Sequence, residues 1–574
     1  MVYYVAMHID VVPNRGARPA YLLRESYRQG TRVHKRTLAN LSSLSDEQIL
    51  AIRAVLRGEQ LPPLAERFEA IASRAHGHVQ AVRVAMRRLG FEPLVGSRPS
   101  RQRDLVCAMV AVRVLAPHSK LATTRWWHST TLAEEFAVAD ASEDEVYAAM
   151  DWLLERQAAI EKKLASRHLR AGGLVLYDLS SSYFEGSCCP LARIGHNRDG
   201  KRNKLQVNYG LVSAPGGCPV AVSVYEGNTA DAQTLMPQVK RLRDDFGIDT
   251  LVIVGDRGMI SHKAIDELRG LRGVSWITAL KSAQIRALIE QGSLQLGLFD
   301  ERNLVELTHP DFPSERLVAC RNPQLAQLRA HKRQELLQAT AAELDKVRSM
   351  VERKRLRGAD QIGVRVGRVV NKYKVAKHFD LTIQAQRFAF RIRDEEVLKE
   401  AALDGIYILR TPLAAKKMDA PAVVRSYKSL SDVERAFHCL KSVDLKVRPI
   451  HHRLAERVRS HIFLCMLAYY LEWHMREAWR SLLFADEDQQ AKTQRDPVAA
   501  AQRSASAEHK ALTHTLADGT PTHSYRTLLD ELSTIVRNTC RTPGADLNAA
   551  TFQLVTTPNT NQTRALELLD TIAT

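Results

Sequence analysis

The sequence predicts an α/β protein: a mixed-sheet core, interrupted by a β-rich insertion and preceded by a β plus helical N-terminal region. Residues 174–179 and Leu251–Val254 are apolar almost throughout, as are strands buried on both faces of a sheet. The core segments follow the order three strands, helix, strand, helix, strand, and a last helix is expected at 419–442. This order indicates a single α/β core.

The segments around the core predict how the chain is divided. Gln29-Gly30, between two strand-like runs, indicates a hairpin. Ser45 and Gln48 form a capping box that begins a helix. A composition rich in Ala, Gln, Asp and Ser predicts a flexible linker. The predicted divisions are an N-terminal β-hairpin and helix region (1–75), a helical DNA-binding region (76–170), the first part of the core (171–281), an insertion domain (282–400), the last strand and helices of the core (401–483), the flexible linker (484–515) and a C-terminal region (516–574).

The charge of the chain points to a polyanionic partner. Lys and Arg number 82 against 64 Asp and Glu, which gives a formal net charge of +18 at pH 7. Neutralising phosphates releases their condensed counterions, so an excess of this size favours nucleic acid as the partner. A basic protein with no nucleic-acid role is the alternative that charge alone leaves open.

The sequence does not support several other classes of protein. Its eight cysteines include no CxxC pair, which predicts reduced thiols and neither a disulfide framework nor a zinc site. There is no signal-peptide pattern, and the longest apolar run near the C-terminus is far shorter than the roughly 20 residues of a membrane span. There is also no Walker A motif. We therefore expect a cytoplasmic protein that uses neither a membrane nor ATP.

Two aspartates mark the ends of buried core strands. Asp178 interrupts the apolar segment LVLYDLS, and Asp256 closes LVIVGD. A charge in a buried strand is costly unless it is paired or binds a metal, and two carboxylates at neighbouring strand ends repel each other unless a cation lies between them. Each Asp alone can also be explained as the cap of a following turn. The pair, in this strand order, favours a metal site.

The predicted last core helix carries a third acid. Tyr427, Glu434 and Lys441 are spaced by seven residues and are expected to line one stripe of the helix. Val433 and Phe437 lie in an apolar stripe beside them that can pack on a sheet. Glu434 is therefore expected at the edge of the buried face, within reach of the strand ends. A solvated row of surface residues is the alternative.

These residues resemble the DDE transposases of bacterial insertion sequences, in the group with a Tyr-x2-Arg-x3-Glu-x6-Lys signature on the last core helix. Tyr427, Glu434 and Lys441 fit that signature. The resemblance covers residues from about 172 to 285 and from 400 to 470. The other similar segments are YDLSSSYFEG around Asp178, GHNRDGKRNKLQ at 195–206, GNTAD at 227–231 and GDRGM at 255–259.

The resemblance implies a fold and a set of site residues. The core is expected to be RNase H-like, with Asp178, Asp256 and Glu434 as catalytic residues and metal ligands. Hard oxygen ligands suit Mg²⁺ or Mn²⁺, and three carboxylates can hold two such ions. The residues expected to bind DNA are Tyr427, Lys441, Arg198, Lys201 and Arg202.

The chain departs from the signature at one position. Leu430 stands where the signature has Arg, and on a helical wheel it extends the apolar stripe, so we expect it to pack. Two other residues have structural explanations: Asp231 is expected to cap the next helix, and Trp276 is expected in the core, with stacking on a flipped base as the alternative.

The resemblance also implies an activity. A DNA transposase would cut at the element's ends and free a 3′-hydroxyl, which would then attack target DNA. A homodimer on paired ends, associated with the bacterial nucleoid, is expected. Two alternatives stay open: an RNase H-fold nuclease that cuts without joining, and a non-catalytic DNA-binding descendant of a transposase. Joining of a 3′ end to a second duplex would exclude the first, and the presence of all three acids argues against the second.

Overall fold

A computed structural model describes residues 3–14, 17–58, 68–186, 188–201, 203–299, 303–499, 501–543 and 550–573. The chain forms two compact units. One comprises Met1–Arg74 with Val536–Thr556, and the other comprises Ala75–Ile535 with Thr557–Thr574.

The secondary structure of the described residues is mixed. The strands are β1 (Tyr3–Asn14), β2 (Ala17–Gln29), β3 (Arg32–Asn40), β4 (Glu69–Ala75), β5 (Leu174–Tyr183), β6 (Gln206–Ser213), β7 (Pro219–Glu226), β8 (Leu251–Val254), β9 (Val274–Ala279), β10 (Leu304–Leu307), β11 (Arg316–Arg321), β12 (Phe379–Gln384), β13 (Arg387–Ile392), β14 (Ile406–Thr411), β15 (Val536–Arg541) and β16 (Phe552–Val555). The α-helices are α1 (Asp46–Leu56), α2 (Gly77–Arg88), α3 (Phe91–Val95), α4 (Arg101–Leu115), α5 (Lys120–Trp126), α6 (Leu132–Glu135), α7 (Glu143–Glu155), α8 (Gln157–His168), α9 (Asp231–Asp244), α10 (His262–Arg269), α11 (Ser282–Glu290), α12 (Pro323–Glu352), α13 (Ala359–Tyr373), α14 (Asp394–Ala401), α15 (Ala420–Lys428), α16 (Leu430–His438), α17 (Ala455–Ala478), α18 (Gln489–Gln494), α19 (Ala505–Thr513), α20 (Tyr525–Ser533) and α21 (Thr560–Leu569).

The smaller unit is built on two three-stranded sheets, in the orders β1-β2-β3 and β16-β15-β4. The predicted hairpin is present, because β2 turns into β3 through Gly30, whose φ of 64° is one that glycine adopts without strain. The predicted capping box of Ser45 and Gln48 begins α1. The N-terminal β region predicted from the sequence is therefore confirmed.

The larger unit contains an eight-stranded mixed sheet in the order β10-β11-β14-β9-β8-β5-β6-β7. At its centre β5, β8 and β9 run parallel to one another. Beside β5 the sheet continues with β6 and β7, each antiparallel to the strand before it. On the other side β14, β11 and β10 extend it, also antiparallel. The predicted large mixed sheet is confirmed.

Helices cover this sheet and bury it. All residues of β6 and β8 are buried. For β8, with the sequence LVIV, this is the burial expected of a continuous apolar run. α8 and α17 pack on β7, and α16 packs on β5. Among the described residues no single helix is long and apolar enough to cross a membrane, although the bent pair Arg101–Leu115 and Lys120–Ser129 together meets that length and composition test.

The prediction that the insertion, 282–400, is β-rich was wrong, because the four helices α11 to α14 together make up most of its described residues. The valines of α13 are β-branched, which favours strands, but their burial follows a helical period. The buried positions are Ile362, Val366, Val369 and Val370, a spacing of 4, 3 and 1 that defines one face of a helix. The β12–β13 hairpin then packs with these helices around its own small core.

The prediction of a flexible linker at 484–515 was also wrong for much of that segment. Its described residues include α18 and α19. Lys510 of α19 is buried, and its ammonium donates hydrogen bonds to the backbone oxygens of Arg480, Leu483 and Ala485. These bonds tie a polar segment to the preceding helical region, an interaction that composition does not reveal.

Candidate active site

Asp178 and Asp256 lie side by side at one edge of the mixed sheet. β5 and β8 are adjacent and parallel, and their register pairs Leu174 with Val252 and Leu176 with Val254. Continued by two residues, the same register sets Asp178 opposite Asp256. Adjacent strands are about 4.8 Å apart, so the two carboxylates are within reach of a common ligand.

Glu434 comes to the same place from α16. That helix packs on β5 through the buried residues Val433, Ala436 and Phe437, and the ring of Phe437 lies 5.7 Å from that of Tyr209 on β6. The exposed Glu434 is thereby held at the edge of the packed face. Glu434 and the two aspartates line one cavity of about 460 Å³. The residues that line it are Asp178, Leu179, Ser180, Arg198, Asp199, Asp231, Asp256, Glu434, Phe437, His438, Lys441 and Arg448.

The electrostatics of Asp178 reflect this convergence. The pKa of the Asp178 carboxyl is raised to about 7, chiefly by burial and in addition by the charges of Asp256 and Glu434. The backbone N–H of Leu179, 2.8 Å from Oδ1, and the guanidinium of Arg198 act in the opposite direction. Crowded carboxylates of this kind are stabilised as anions when a cation joins them.

The donor set fits a hard divalent cation. All three acids offer carboxylate oxygens, the ligands that Mg²⁺ and Mn²⁺ prefer. Oδ1 of Asp256 accepts hydrogen bonds from the backbone N–H groups of Gly258 and Met259, at 3.0 and 2.7 Å, which fixes the orientation of that carboxylate. An oriented carboxylate beside a desolvated one is a suitable frame for metal binding.

The predicted continuous helix at 419–442 is broken, so the prediction of one straight stripe was wrong. α15 ends and α16 begins around Ser429, whose hydroxyl donates to the backbone oxygen of Ser426 at 2.6 Å. Such bonds compete with regular helical pairing. The segment Cys439–Val443 then forms a π-helical turn, which changes the angular position of Lys441 relative to Glu434.

Lys441 is buried in an ion pair that the sequence did not predict. Its Nζ lies 3.0 Å from Oδ1 of Asp199, and Arg448 Nη1 lies 2.6 Å from the same oxygen. The other oxygen of Asp199 accepts a hydrogen bond from the backbone N–H of Tyr183. Burial lowers the pKa of Lys441, and the charge of Asp199 opposes that shift. Asp199 thus organises two cations at the rim of the three acids.

The basic segment after β5 also enters the cavity. Nη2 of Arg198 is 2.6 Å from both carboxylate oxygens of Asp231. Asp231 makes no capping hydrogen bond to α9, so the cap predicted for it was wrong. Lys201 is exposed, with its Nζ 5.9 Å from the ring centre of Tyr183. Arg202 lies outside the described residues.

Tyr427 and Leu430 lie near the break between α15 and α16. Tyr427 is half-buried, and its pKa is raised by burial and then by the charge of Asp256. Its hydroxyl therefore belongs to the electrostatic surroundings of the acids. Leu430 packs against the main hydrophobic core, which confirms the packing expected for it, and Trp276 is buried in the same core.

Asp178 gives the stability of the metal-free protein a distinctive pH dependence. Its pKa is about 7 when folded and 3.8 ordinarily, so its contribution to stability is full below pH 4 and is lost as the pH rises through 7. Asp178→Asn should therefore stabilise the metal-free protein at pH 8 by about 2 to 4 kcal/mol and have little effect at pH 4. Thermal unfolding of both proteins in EDTA, across that pH range, measures the difference. A constant difference at all pH values would contradict the assignment.

Comparisons with known proteins identify the family of this chain. The chain matches the model of the transposase DDE domain over residues 192–471 and the model of the N-terminal domain of IS1634 family transposases over residues 9–63. The first match includes Asp256 and Glu434 and begins after Asp178. The chain is a DNA transposase of the DDE type. It belongs to the DDE transposases of bacterial insertion sequences, a family that implies DNA as partner and a divalent metal as cofactor.

Two other comparisons complete these findings. No match was found among the curated proteins. Among solved structures, the chain is similar to a piggyBac transposase in a synaptic complex with hairpin DNA, at 9% identity. That alignment covers 80% of this chain and 76% of the other, with a TM-score of 0.33.

Proposed function

We propose that this transposase cuts DNA at the ends of its element and joins the freed 3′ ends to target DNA, with Asp178, Asp256 and Glu434 as the catalytic metal ligands. The β5–β8 register, which sets Asp178 opposite Asp256, carries the proposal. The strand order β7-β6-β5-β8-β9, antiparallel and then parallel, supports an RNase H-like core. A nuclease built on that core would use the same carboxylates.

The three acids are suited to hold two Mg²⁺ or Mn²⁺ ions. When bound, such a pair supplies Lewis acidity at both the attacking and the leaving oxygen of a phosphodiester. Asp178, with its pKa near 7, would release a proton as it becomes a ligand. Asp256, oriented by the N–H groups of Gly258 and Met259, would hold its ligand oxygens in a fixed direction.

We propose that DNA follows the cationic rim of this cavity. Arg198 has a buried Nη1 with no hydrogen-bond partner in the described structure, which leaves a donor for a ligand oxygen. Lys441 and Arg448, ordered by Asp199, offer positive charge to a neighbouring phosphate. Tyr427, Lys201 and Arg202 complete the proposed DNA-binding set.

The same proposal includes an assembly. Each element has two ends, so a homodimer with one active site for each end is the simplest arrangement that cuts both. DNA as substrate would place its action at the bacterial nucleoid.

The test is a single reaction of the full chain with labelled element-end DNA, a target plasmid and Mg²⁺. Cleavage at the end, followed by covalent joining of the labelled 3′ strand to the plasmid, is expected, and EDTA should suppress both. The terminal sequences flanking the gene supply the substrate, and a scrambled end serves as control. Cleavage without any joining would support the nuclease alternative, and binding without cleavage would support the non-catalytic one.

A further inference from the structure

A group of three potential metal ligands lies away from the carboxylates, in the larger unit. His168 is the last residue of α8, Cys218 directly precedes β7, and His474 lies on α17. One ligand atom from each lies within 4.8 Å of those of the other two. None of the three lines the active-site cavity. The cluster therefore belongs to no part of the catalytic site.

One ring nitrogen of His474 lacks the hydrogen bond that a buried polar atom normally makes. It is 7% exposed, and its Nε2 is buried without a hydrogen-bond partner in the described structure. Burying an unpaired polar atom costs free energy, and buried polar atoms in proteins are nearly always satisfied. A metal ion bonded by an imidazole nitrogen would remove that cost.

The surroundings of His168 resemble those of a metal-bound histidine. Its Nε2 lies 3.0 Å from the hydroxyl of Tyr470 on α17. Histidines that bind metals usually bond their second ring nitrogen to a neighbouring polar group, which orients the ring. His168 also ends α8, where the helix dipole favours positive charge.

A second cluster of potential metal ligands already has a side-chain cation in the place where a metal would bind. Cys439, Asp444 and Glu472 are buried with their ligand atoms equally close. The guanidinium of Arg476 lies 2.8 Å from Asp444 and 2.6 Å from Glu472, so a cation is already in place.

We propose that His168, Cys218 and His474 bind one Zn²⁺ ion, with a water molecule as the fourth ligand. One thiolate and two imidazoles are a donor set that Zn²⁺ accepts, and oxygen-preferring Mg²⁺ does not. Burial raises the pKa of the Cys218 thiol well above its ordinary value, so binding would transfer the thiol proton to solvent as the sulfur–zinc bond forms. The ion would join α8, the β6–β7 hairpin and α17. The sequence analysis predicted no zinc site because these ligands come from three distant segments without CxxC spacing.

The test uses Co²⁺, a spectroscopic substitute for Zn²⁺, on the reduced full chain without an affinity tag. Excess Mg²⁺ is present to occupy the three active-site carboxylates. One equivalent of Co²⁺ should give a thiolate-to-metal charge-transfer band in the near ultraviolet, and Zn²⁺ should abolish it. Cys218→Ala and His474→Gln should lose the band. Tyr470→Phe should keep it, with metal affinity weakened about 10-fold or more.

The matched control is Cys465→Ala. Cys465 is a buried thiol on α17 that lies outside the cluster, so its removal should leave the band unchanged. If Cys218→Ala fails to fold, the His474→Gln and Tyr470→Phe proteins still test the proposal. No charge-transfer band in the wild-type protein, or an undiminished band in the folded Cys218→Ala or His474→Gln protein, would overturn it. These outcomes concern only the proposed zinc site. The three carboxylates and the transposase activity are tested separately.

Discussion

Asp178→Asn, Asp256→Asn and Glu434→Gln should each abolish cleavage of element ends and leave DNA binding nearly unchanged. The amides keep the shape of the side chains but remove the charge that holds a divalent cation. Metal ions supply several kcal/mol of charge stabilisation in phosphodiester cleavage, so the rate should fall about 10³-fold or more. Cleavage of labelled ends, with gel-shift binding in Ca²⁺ measured in parallel, gives both quantities.

Controls for these variants are available on α10. Asp266→Asn and Glu267→Gln change exposed acids outside the cavity and should retain full activity. Unimpaired cleavage by the Asp178→Asn protein would refute the assignment of that residue. Loss of DNA binding together with cleavage would mean that the acid supports folding instead.

Affinity for DNA should fall steeply with salt. The net charge of +18 and the cationic rim of the cavity imply many phosphate contacts. A protein with about 6 to 10 such contacts loses about 10³ to 10⁵ in affinity between 50 and 200 mM salt. Binding constants for element-end DNA over that range give the slope, and a flat response would show that the basic excess serves another purpose.

Lys441 offers a residue-level form of the same experiment. Lys441→Ala should weaken end binding and reduce the salt slope by about one unit. Lys162→Ala, an exposed lysine of α8, is the control and should leave the slope unchanged. An unchanged slope for Lys441→Ala would restrict Lys441 to its ion pair with Asp199.

Part of the proposed site could be predicted from local sequence. Asp178 and Asp256 stand out because each ends or interrupts an apolar strand, and the order of strands and helices indicates that those strands are neighbours. Glu434 could not be found this way, because an acid on an amphipathic helix has no distinguishing local pattern. The helix stripe placed it within reach of the strand ends but left a solvated row as the alternative, and the resemblance to a transposase signature decided between the two.

The remaining parts of the site depend on contacts between distant segments. Asp199 and Lys441 are 242 residues apart in the chain. Arg198 pairs with Asp231, from which it is separated in the chain by β6 and β7. Periodicity and composition describe each segment separately and carry no information about such pairs. The π-helical turn that contains Lys441 is a further feature that periodicity did not predict, because the spacing of the apolar residues there fits a regular α-helix.

The most direct measurement of the proposed metal centre is an anomalous difference map from crystals of the full chain grown with element-end DNA and Mn²⁺. Two peaks about 4 Å apart are expected, bonded to carboxylate oxygens of Asp178, Asp256 and Glu434 and to the scissile phosphate. Bound DNA with no Mn²⁺ peak at these three acids, or with peaks on other residues, would contradict two-metal catalysis at this edge of the sheet.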